Sequence, residues 1–173
     1  LTARDPETAK ELAEELNSAN QERQALSQKI FEEAERQLAK QGPPEWSLVL
    51  GEEGWHPGVI GIVASRMTEK YHLPSVLLSI DGETAKGSCR SIPPLDLYQA
   101  LDRCRDHLVQ FGGHAQAAGL TIRTAEIPAF REAFARVVAE MLDHKPYEPA
   151  AVPDWFVPED REITPEAVAQ LAQ

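Results

Sequence analysis

Cysteine and long apolar segments are scarce in this sequence. Its 173 residues include two cysteines, Cys89 and Cys104, too few for the disulfide framework of a small secreted domain. No apolar run reaches the roughly 18 residues of a membrane-spanning helix, and the N-terminus lacks the basic and apolar regions of a secretion signal. We therefore expect a chain that works in the reducing cytoplasm without a membrane partner.

The motifs of common catalytic centres are also absent. The five histidines form no HxxxH pair, the two cysteines do not have zinc-ligand spacing, and no tight cluster of aspartate and histidine indicates a two-metal centre. Neither a G-x-S-x-G nucleophile elbow nor a Walker phosphate loop occurs. The sequence therefore predicts no metal site and no catalytic residue of its own.

Negative charge predominates, but one window of the chain is positive. The formal net charge is −11, which argues against a surface that binds nucleic acid without specificity. Residues 86–123 nevertheless carry Lys86 and four arginines, Arg90 among them, against three aspartates. A local positive region on an acidic protein is typical of a specific anion site.

The positive window contains an unusually bare segment, GGHAQAAG at residues 112–119. Glycine adopts backbone angles that aim successive N–H groups at one anion, so Gly112, Gly113 and His114 are candidates for a phosphate-binding loop. His114 would add an imidazole donor and is a candidate for an assisting role in proton transfer. The alternative is a tight turn before a strand or helix of small residues, with His114 in a structural role.

A second candidate site is KGSCRS at residues 86–91. Alternation along a strand places Ser88 and Arg90 on one face, and Cys89 and Ser91 on the other. The guanidinium of Arg90 binds phosphate oxygens in a fork, with neighbouring serine hydroxyls as further donors. The alternative is an exposed edge strand with a solvated arginine.

A third candidate site is WHPGVIG, which begins at Trp55 and leads into a predicted buried helix. The free N–H groups at a helix N-terminus attract anions, so His56 is a candidate for anion binding or proton transfer. The alternative is that Trp55 closes the core and His56 packs on it.

Size and composition fit one domain of ordinary size with extensions, because 42% of the residues are apolar. Asp5-Pro6-Glu7 is a strong helix start, and the helix is predicted to run to about Lys40, where Gly42-Pro43-Pro44 ends it. A helix this long has to lie along a domain or bridge two domains. Its predicted apolar seam consists of Leu12, Leu16, Ala19, Leu26 and Ile30, and Arg23 interrupts it.

Strands and helices alternate in the rest of the chain, which is typical of an α/β domain with a mostly central sheet. Strands are predicted over residues 46–50, 75–80, 84–91 and 120–123, and helices over residues 57–71, 95–104 and 127–142. After His144 the sequence is rich in proline, and we predict a strand over 151–157 and a helix from Thr164.

Four motifs, in this order, resemble the RecJ family of 5′→3′ single-strand-specific DNA exonucleases, in the DHH phosphoesterase superfamily. They are Asn20-x-x-Arg23-Gln24 and the segments 54–66, 87–91 and 112–119. The resemblance implies a DHHA1-type domain over 42–145, with a central mixed sheet flanked by helices. It also implies a long interdomain helix over 1–41, and a linker with the start of a truncated OB-type domain over 146–173.

The resemblance also implies a function in DNA repair and recombination. The full-length enzyme would use Mn²⁺ or Mg²⁺ held by a DHH domain whose motifs this chain lacks, so we expect the chain alone to be an inactive monomer. Its partners would be single-stranded DNA and that DHH domain. The residues implied to hold the phosphates are Ser88, Arg90, Ser91, Gly112, Gly113 and His114, with Trp55 and His56 lining the same cleft.

Two other functions are compatible with parts of this pattern. A related DHH phosphodiesterase acting on cyclic dinucleotides or short oligoribonucleotides would share the Gly-Gly-His loop. A metal-free binding module, as in the tail of alanyl-tRNA synthetase, belongs to another class. One residue departs from the family pattern, since Cys89 stands where a glycine is usual, and we expect it to point away from Ser88 and Arg90.

Overall fold

A computed structural model describes residues 5–42 and 44–149 of the chain. A five-stranded mixed sheet has the order β1-β2-β3-β5-β4, with β1 and β2 parallel and the other neighbours antiparallel. The helices are α1 (Pro6–Gln41), α2 (Ile60–Tyr71), α3 (Leu97–Asp102) and α4 (Ile127–Met141). The strands are β1 (Leu48–Glu53), β2 (Ser75–Asp81), β3 (Thr84–Arg90), β4 (Leu108–Gly113) and β5 (Ala117–Arg123).

The predicted α/β fold with a mixed sheet and a long preceding helix is confirmed. The strand β4 was missed, because its side chains are at most half-buried and a bulge at Val109 interrupts the alternation on which a strand prediction depends. The segment 112–119 consequently forms the end of β4, a turn and the beginning of β5. The strand over 151–157 and the helix from Thr164 lie outside the described residues.

Helix α1 is anchored through its C-terminal half. The Asp5 carboxylate caps the helix by accepting a hydrogen bond from the Thr8 N–H (3.0 Å), as the helix-start pattern predicted. Leu12 and Leu16 are 40% and 56% exposed, so the N-terminal half of the predicted seam has no packing partner among the described residues. The residues of α1 that are buried are Ser27, Ile30, Phe31, Ala34 and Leu38.

Contacts between α1 and α2 hold the C-terminal half in place. The Arg66 guanidinium lies 4.0 Å from the centre of the Phe31 ring. The Lys70 ammonium donates a hydrogen bond to the Glu35 carboxylate and holds the pKa of that carboxyl below its ordinary value. These contacts fix α1 along α2.

The two faces of the sheet are covered to different extents. One face packs against α3 and α4 and forms a core with residues that include Val76, Leu78, Cys89, Leu120, Ile122, Phe130 and Phe134. The other face packs against α1 and α2 through a core that includes Leu48, Leu50, Leu77, Ile60 and Val63. On this second face the part formed by β4 and β5 is exposed at Gln110, Gly112 and Gly119. A sheet surface of small and polar side chains therefore remains open beside α2.

Gly112 and Gly113, at the end of β4, differ in whether the fold has room for a side chain. Gly113 has a φ of +150°, and a Cβ built on it would lie 2.5 Å from the Cα of Ala118. A Cβ on Gly112 would meet nothing within 4 Å. The fold therefore requires glycine at position 113, whereas position 112 has room for a side chain.

We predict that Gly113→Ala lowers the free energy of unfolding by about 1–3 kcal/mol, because the strained backbone and the contact with Ala118 add their costs. Gly112→Ala, the matched control, is expected to change it by less than about 0.5 kcal/mol. Urea denaturation of the 173-residue chain followed by circular dichroism measures both values. Equal destabilisation by the two substitutions would contradict the described geometry of the hairpin.

Candidate nucleic-acid interface

The open part of the second sheet face is built by three neighbouring strands. Ser88 on β3 pairs with Gly119 on β5, which pairs with Gly112 on β4, and directly paired residues project their side chains to the same side. Together with the next row of the sheet these residues line a groove of about 550 Å³. We call this surface the glycine face and define it by Lys86, Ser88, Gln110, Gly112, Gly119 and Thr121.

The glycines of this face are not required by packing among the described residues. A Cβ on Gly112 would meet nothing within 4 Å, and a Cβ on Gly119 would meet only the carbonyl oxygen of Gly87, at 3.7 Å. Their lack of side chains leaves a flat floor to which a ligand backbone has close access. Gly61 on α2 is different, because a Cβ there would lie 2.9 Å from the Ser88 hydroxyl. Gly61 therefore permits α2 to approach the edge of the floor.

Arg90 lies between that edge and α2, and neutral groups hold its guanidinium. Its Nε donates to the Ser65 hydroxyl (3.0 Å), and its Nη1 donates to the Ser88 hydroxyl (3.3 Å) and the Cys89 carbonyl (2.8 Å). Within the described part of the chain no carboxylate forms a salt bridge with this half-buried side chain. A positioned cation without a protein counter-charge is suited to binding an anion.

Strand alternation at residues 88–90 is as predicted. Ser88 and Arg90 project towards α2, whereas Cys89 is fully buried against α3 and α4. Burial raises the pKa of the Cys89 thiol to about 12. The added bulk at the position of the usual family glycine therefore lies behind the sheet, away from Arg90.

The Ser91 hydroxyl is not part of the same surface. Strand β3 ends at Arg90, and the Ser91 hydroxyl is hydrogen-bonded to the carbonyl oxygens of Leu95 (2.8 Å) and Ile92 (3.3 Å). The backbone N–H of Ser91 donates a hydrogen bond to the Gln116 carbonyl oxygen (3.0 Å). These bonds give Ser91 a structural role in the loop that leads to α3.

The hairpin places His114 at its exposed tip. The His114 N–H donates to the Ala117 carbonyl (2.9 Å), and its Nδ1 accepts a hydrogen bond from the Gln116 N–H (3.3 Å). An accepting Nδ1 places the proton of the neutral ring on Nε2, which leaves an exposed donor at the end of β4. Gly112 and Gly113 are paired with β5 in a ladder, so this segment is a strand end and turn instead of a helix start.

Trp55 and His56 have different environments although they are neighbours in sequence. Trp55 is 3% exposed, and its indole N–H donates to the Glu33 carboxylate (2.9 Å), so its side chain joins α1 to the core. His56 is exposed and lines a second groove of about 420 Å³, with its Nδ1 accepting from the Gly58 N–H (3.1 Å). The structure therefore buries the Trp55 side chain, although Trp55 and His56 both line this second groove beside the glycine face.

The glycine face also includes residues that the sequence motifs did not select. Lys86 continues the alternation of Ser88 and Arg90, so the strand period alone would have placed it on this face. Gln110 and Thr121 form a hydrogen bond across β4 and β5 (3.2 Å). Their position depends on the β4–β5 register, which no sequence signal provided.

Two general features of the described residues bear on the chemistry. Over 5–42 and 44–149, no group of three or more His, Cys, Asp or Glu side chains is placed to hold a metal ion. None of the helices in these ranges has the length and apolar character needed to cross a bilayer. The glycine face is thus a polar surface, and the described residues around it include no metal-binding cluster.

A comparison with known protein families identifies the family of this chain. The family model described as the DHHA1 domain matches residues 46–140. The chain belongs to the DHHA1 domain family. The matched region of the DHHA1 domain begins just before β1 and ends within α4.

The chain is similar to proteins named single-stranded-DNA-specific exonuclease RecJ. It is 36% identical to that of Bacillus subtilis over 99% of this chain and 22% of the relative. It is 37% identical to that of Thermus thermophilus over 90% of this chain and 24% of the relative. The chain thus spans about a quarter of the length of these relatives, and its resemblance to the RecJ family is confirmed.

Solved structures of RecJ share the fold of this chain. The Mg²⁺ complex of RecJ from Thermus thermophilus matches with a TM-score of 0.73 and 34% identity, over 81% of this chain and 22% of that one. A structure of exonuclease RecJ bound to manganese matches with a TM-score of 0.65 and 36% identity, over 82% of this chain and 34% of that one. These similarities do not favour the cyclic-dinucleotide alternative.

We predict that both cysteines of the DHHA1 domain resist alkylation in the folded chain. Burial raises the pKa of the thiol to about 12 for Cys89 and to about 11 for Cys104, so little thiolate is present at about pH 8. Mass spectrometry after iodoacetamide treatment is expected to find unmodified folded chain, and complete labelling in urea. Rapid labelling of Cys89 without denaturant would contradict its placement behind the sheet.

Proposed function

We propose that this chain is the nucleic-acid-binding part of a RecJ-type 5′→3′ single-stranded DNA exonuclease of the cytoplasm, acting in DNA repair and recombination. The observation that carries the proposal is the Arg90 guanidinium, half-buried and bonded only to neutral groups, at the edge of the open glycine face. The names of the RecJ relatives supply the substrate, single-stranded DNA.

The geometry of the glycine face suits a single strand. Ser88 and Gly112 are separated by two strand spacings, or about 10 Å, which gives the floor the width of one extended nucleic-acid strand. Arg90 would bind phosphate oxygens through Nη2, for which the described residues provide no acceptor, and the bare floor would let the sugar-phosphate backbone approach. Such contacts hold a strand of any sequence, because they read no base edges.

His114 and His56 would contribute N–H donors at the margins of this surface. In each ring Nδ1 accepts a backbone hydrogen bond, so Nε2 carries the proton of the neutral form. The role we propose for both is a hydrogen bond to a phosphate or sugar oxygen. Ser91 and Trp55 would contribute to binding indirectly. Ser91 would hold the loop that leads to α3, and Trp55 would hold α1 against the core.

Hydrolysis would require residues outside the described part of the chain. The solved relatives contain Mg²⁺ or Mn²⁺, and the described residues do not include a metal-binding cluster. We therefore propose that a DHH domain of the same polypeptide holds the divalent metal. This chain would position the strand and contribute no metal ligand.

We predict that Arg90→Ala weakens binding of single-stranded oligodeoxynucleotides of any sequence. The substitution is also expected to change the salt dependence of binding. The slope of the logarithm of the association constant against the logarithm of the salt concentration should become less negative by about 0.7, the value for one phosphate contact in a single strand. Fluorescence anisotropy over a series of salt concentrations measures both effects. Arg90→Lys is expected to restore the slope but only part of the affinity, because an ammonium lacks the planar fork.

Arg103→Ala is the matched control for this test. Arg103 pairs with Glu140 on the side of α3 and α4, so its removal changes the net charge equally without altering the glycine face. An unchanged slope for Arg90→Ala, or an equal change for Arg103→Ala, would contradict the proposed site. Preference for a cyclic dinucleotide over single-stranded DNA would support the phosphodiesterase alternative instead.

A further inference from the structure

Lys86 is a second cation on the glycine face, and the phosphate site proposed above does not use it. It precedes Ser88 by two residues and Arg90 by four on β3, so all three side chains leave the strand on one side. Within the described ranges, Lys86 forms no salt bridge. Its ammonium is therefore available to an external anion.

Lys86 also lies where two grooves meet. It lines the groove of about 550 Å³ with Ser88 and Gly112, and the groove of about 420 Å³ with His56 and Thr84. A strand that leaves the Arg90 site along β3 would pass Lys86 to enter the second groove. The shape of the surface thus gives a path in the direction of β3.

Positive charge along this path is confined to two rows of the sheet. The strand neighbours of Arg90 are Ser75 and Ala117, and those of Lys86 are Ser79 and Thr121, so neither cation is paired directly with a charged residue of the adjacent strands. The row after Lys86 contains Asp81, which lines the second groove, and Arg123, which does not, so negative charge follows Lys86 on this path. The favourable potential for an anion therefore begins at Arg90 and ends near Lys86.

One carboxylate does lie further along the Lys86 row, on β1. Glu52 pairs with Ser79, two strand spacings or about 10 Å from Lys86, and it accepts a hydrogen bond from the Gln37 side chain (2.6 Å). At that distance and on an exposed surface its attraction for Lys86 is weak, because the high dielectric constant of water reduces the interaction. Glu52 therefore does not compensate the ammonium.

We propose that Lys86 is a second phosphate-binding residue that extends the Arg90 site into a track for consecutive phosphates of one strand. Four residues of extended chain separate the Cα atoms of Arg90 and Lys86 by about 13 Å, a length that spans more than a single phosphate. The inference rests on the proposed function of the Arg90 site. Arg90, held by Ser65, fixes the position of one phosphate, whereas the flexible Lys86 contributes affinity for a longer strand.

The test compares affinity for short and long strands. Dissociation constants of the 173-residue chain for a thymidine dinucleotide and a thymidine hexanucleotide are measured by NMR titration at low ionic strength. Lys86→Ala is expected to weaken hexanucleotide binding by about three- to fivefold and to leave dinucleotide binding unchanged. Arg90→Ala is expected to weaken binding of both. Lys145→Ala, which removes an equal charge beyond α4, is expected to affect neither.

The remaining outcomes separate the two proposals. Equal weakening of both lengths by Lys86→Ala would place Lys86 in the first phosphate site and overturn the track. No effect of Lys86→Ala at either length, while Arg90→Ala still weakens both, would overturn the track alone. Failure of the unsubstituted chain to bind either oligonucleotide would overturn the proposed function itself.

Discussion

Strand β3 determines the position of the glycine face, because it pairs antiparallel with both β2 and β5. Its neighbours in the sheet fix the side to which each of its residues points. Cys89 enters the core under α3 and α4, whereas Ser88 and Arg90 project towards α2. A shift of the register by one residue would exchange these environments and bury the guanidinium in an apolar core.

The approach of α2 provides the second constraint. Gly61 leaves space for the Ser88 hydroxyl, and Ser65, one turn later, accepts a hydrogen bond from Arg90. The helix itself is held by α1 through the contacts of Phe31 and Glu35. Helix α1 therefore stabilises the position of Arg90 indirectly, through α2, although it contributes no residue to the glycine face.

Sequence patterns predicted the helices and the central strands, because apolar periodicity and capping residues are local signals. The Ser88–Arg90 alternation was predictable for the same reason. The hairpin of β4 and β5 was not, since small residues and a bulge near Val109 give no clear period. Closure of the core by Trp55 was one of the two readings of its motif, but the hydrogen bond of its indole to Glu33, 22 residues away, is not encoded by a local motif.

The central claim is that Arg90 and the glycine face form one surface for a nucleic-acid strand. NMR titration of an isotope-labelled chain with a short single-stranded oligodeoxynucleotide tests it directly. The account predicts that shifts concentrate at the Arg90 Nε–H and at the amides of Ser88, Gly112 and Gly119. Shifts confined to the side of α3 and α4, with Arg90 unaffected, would contradict it.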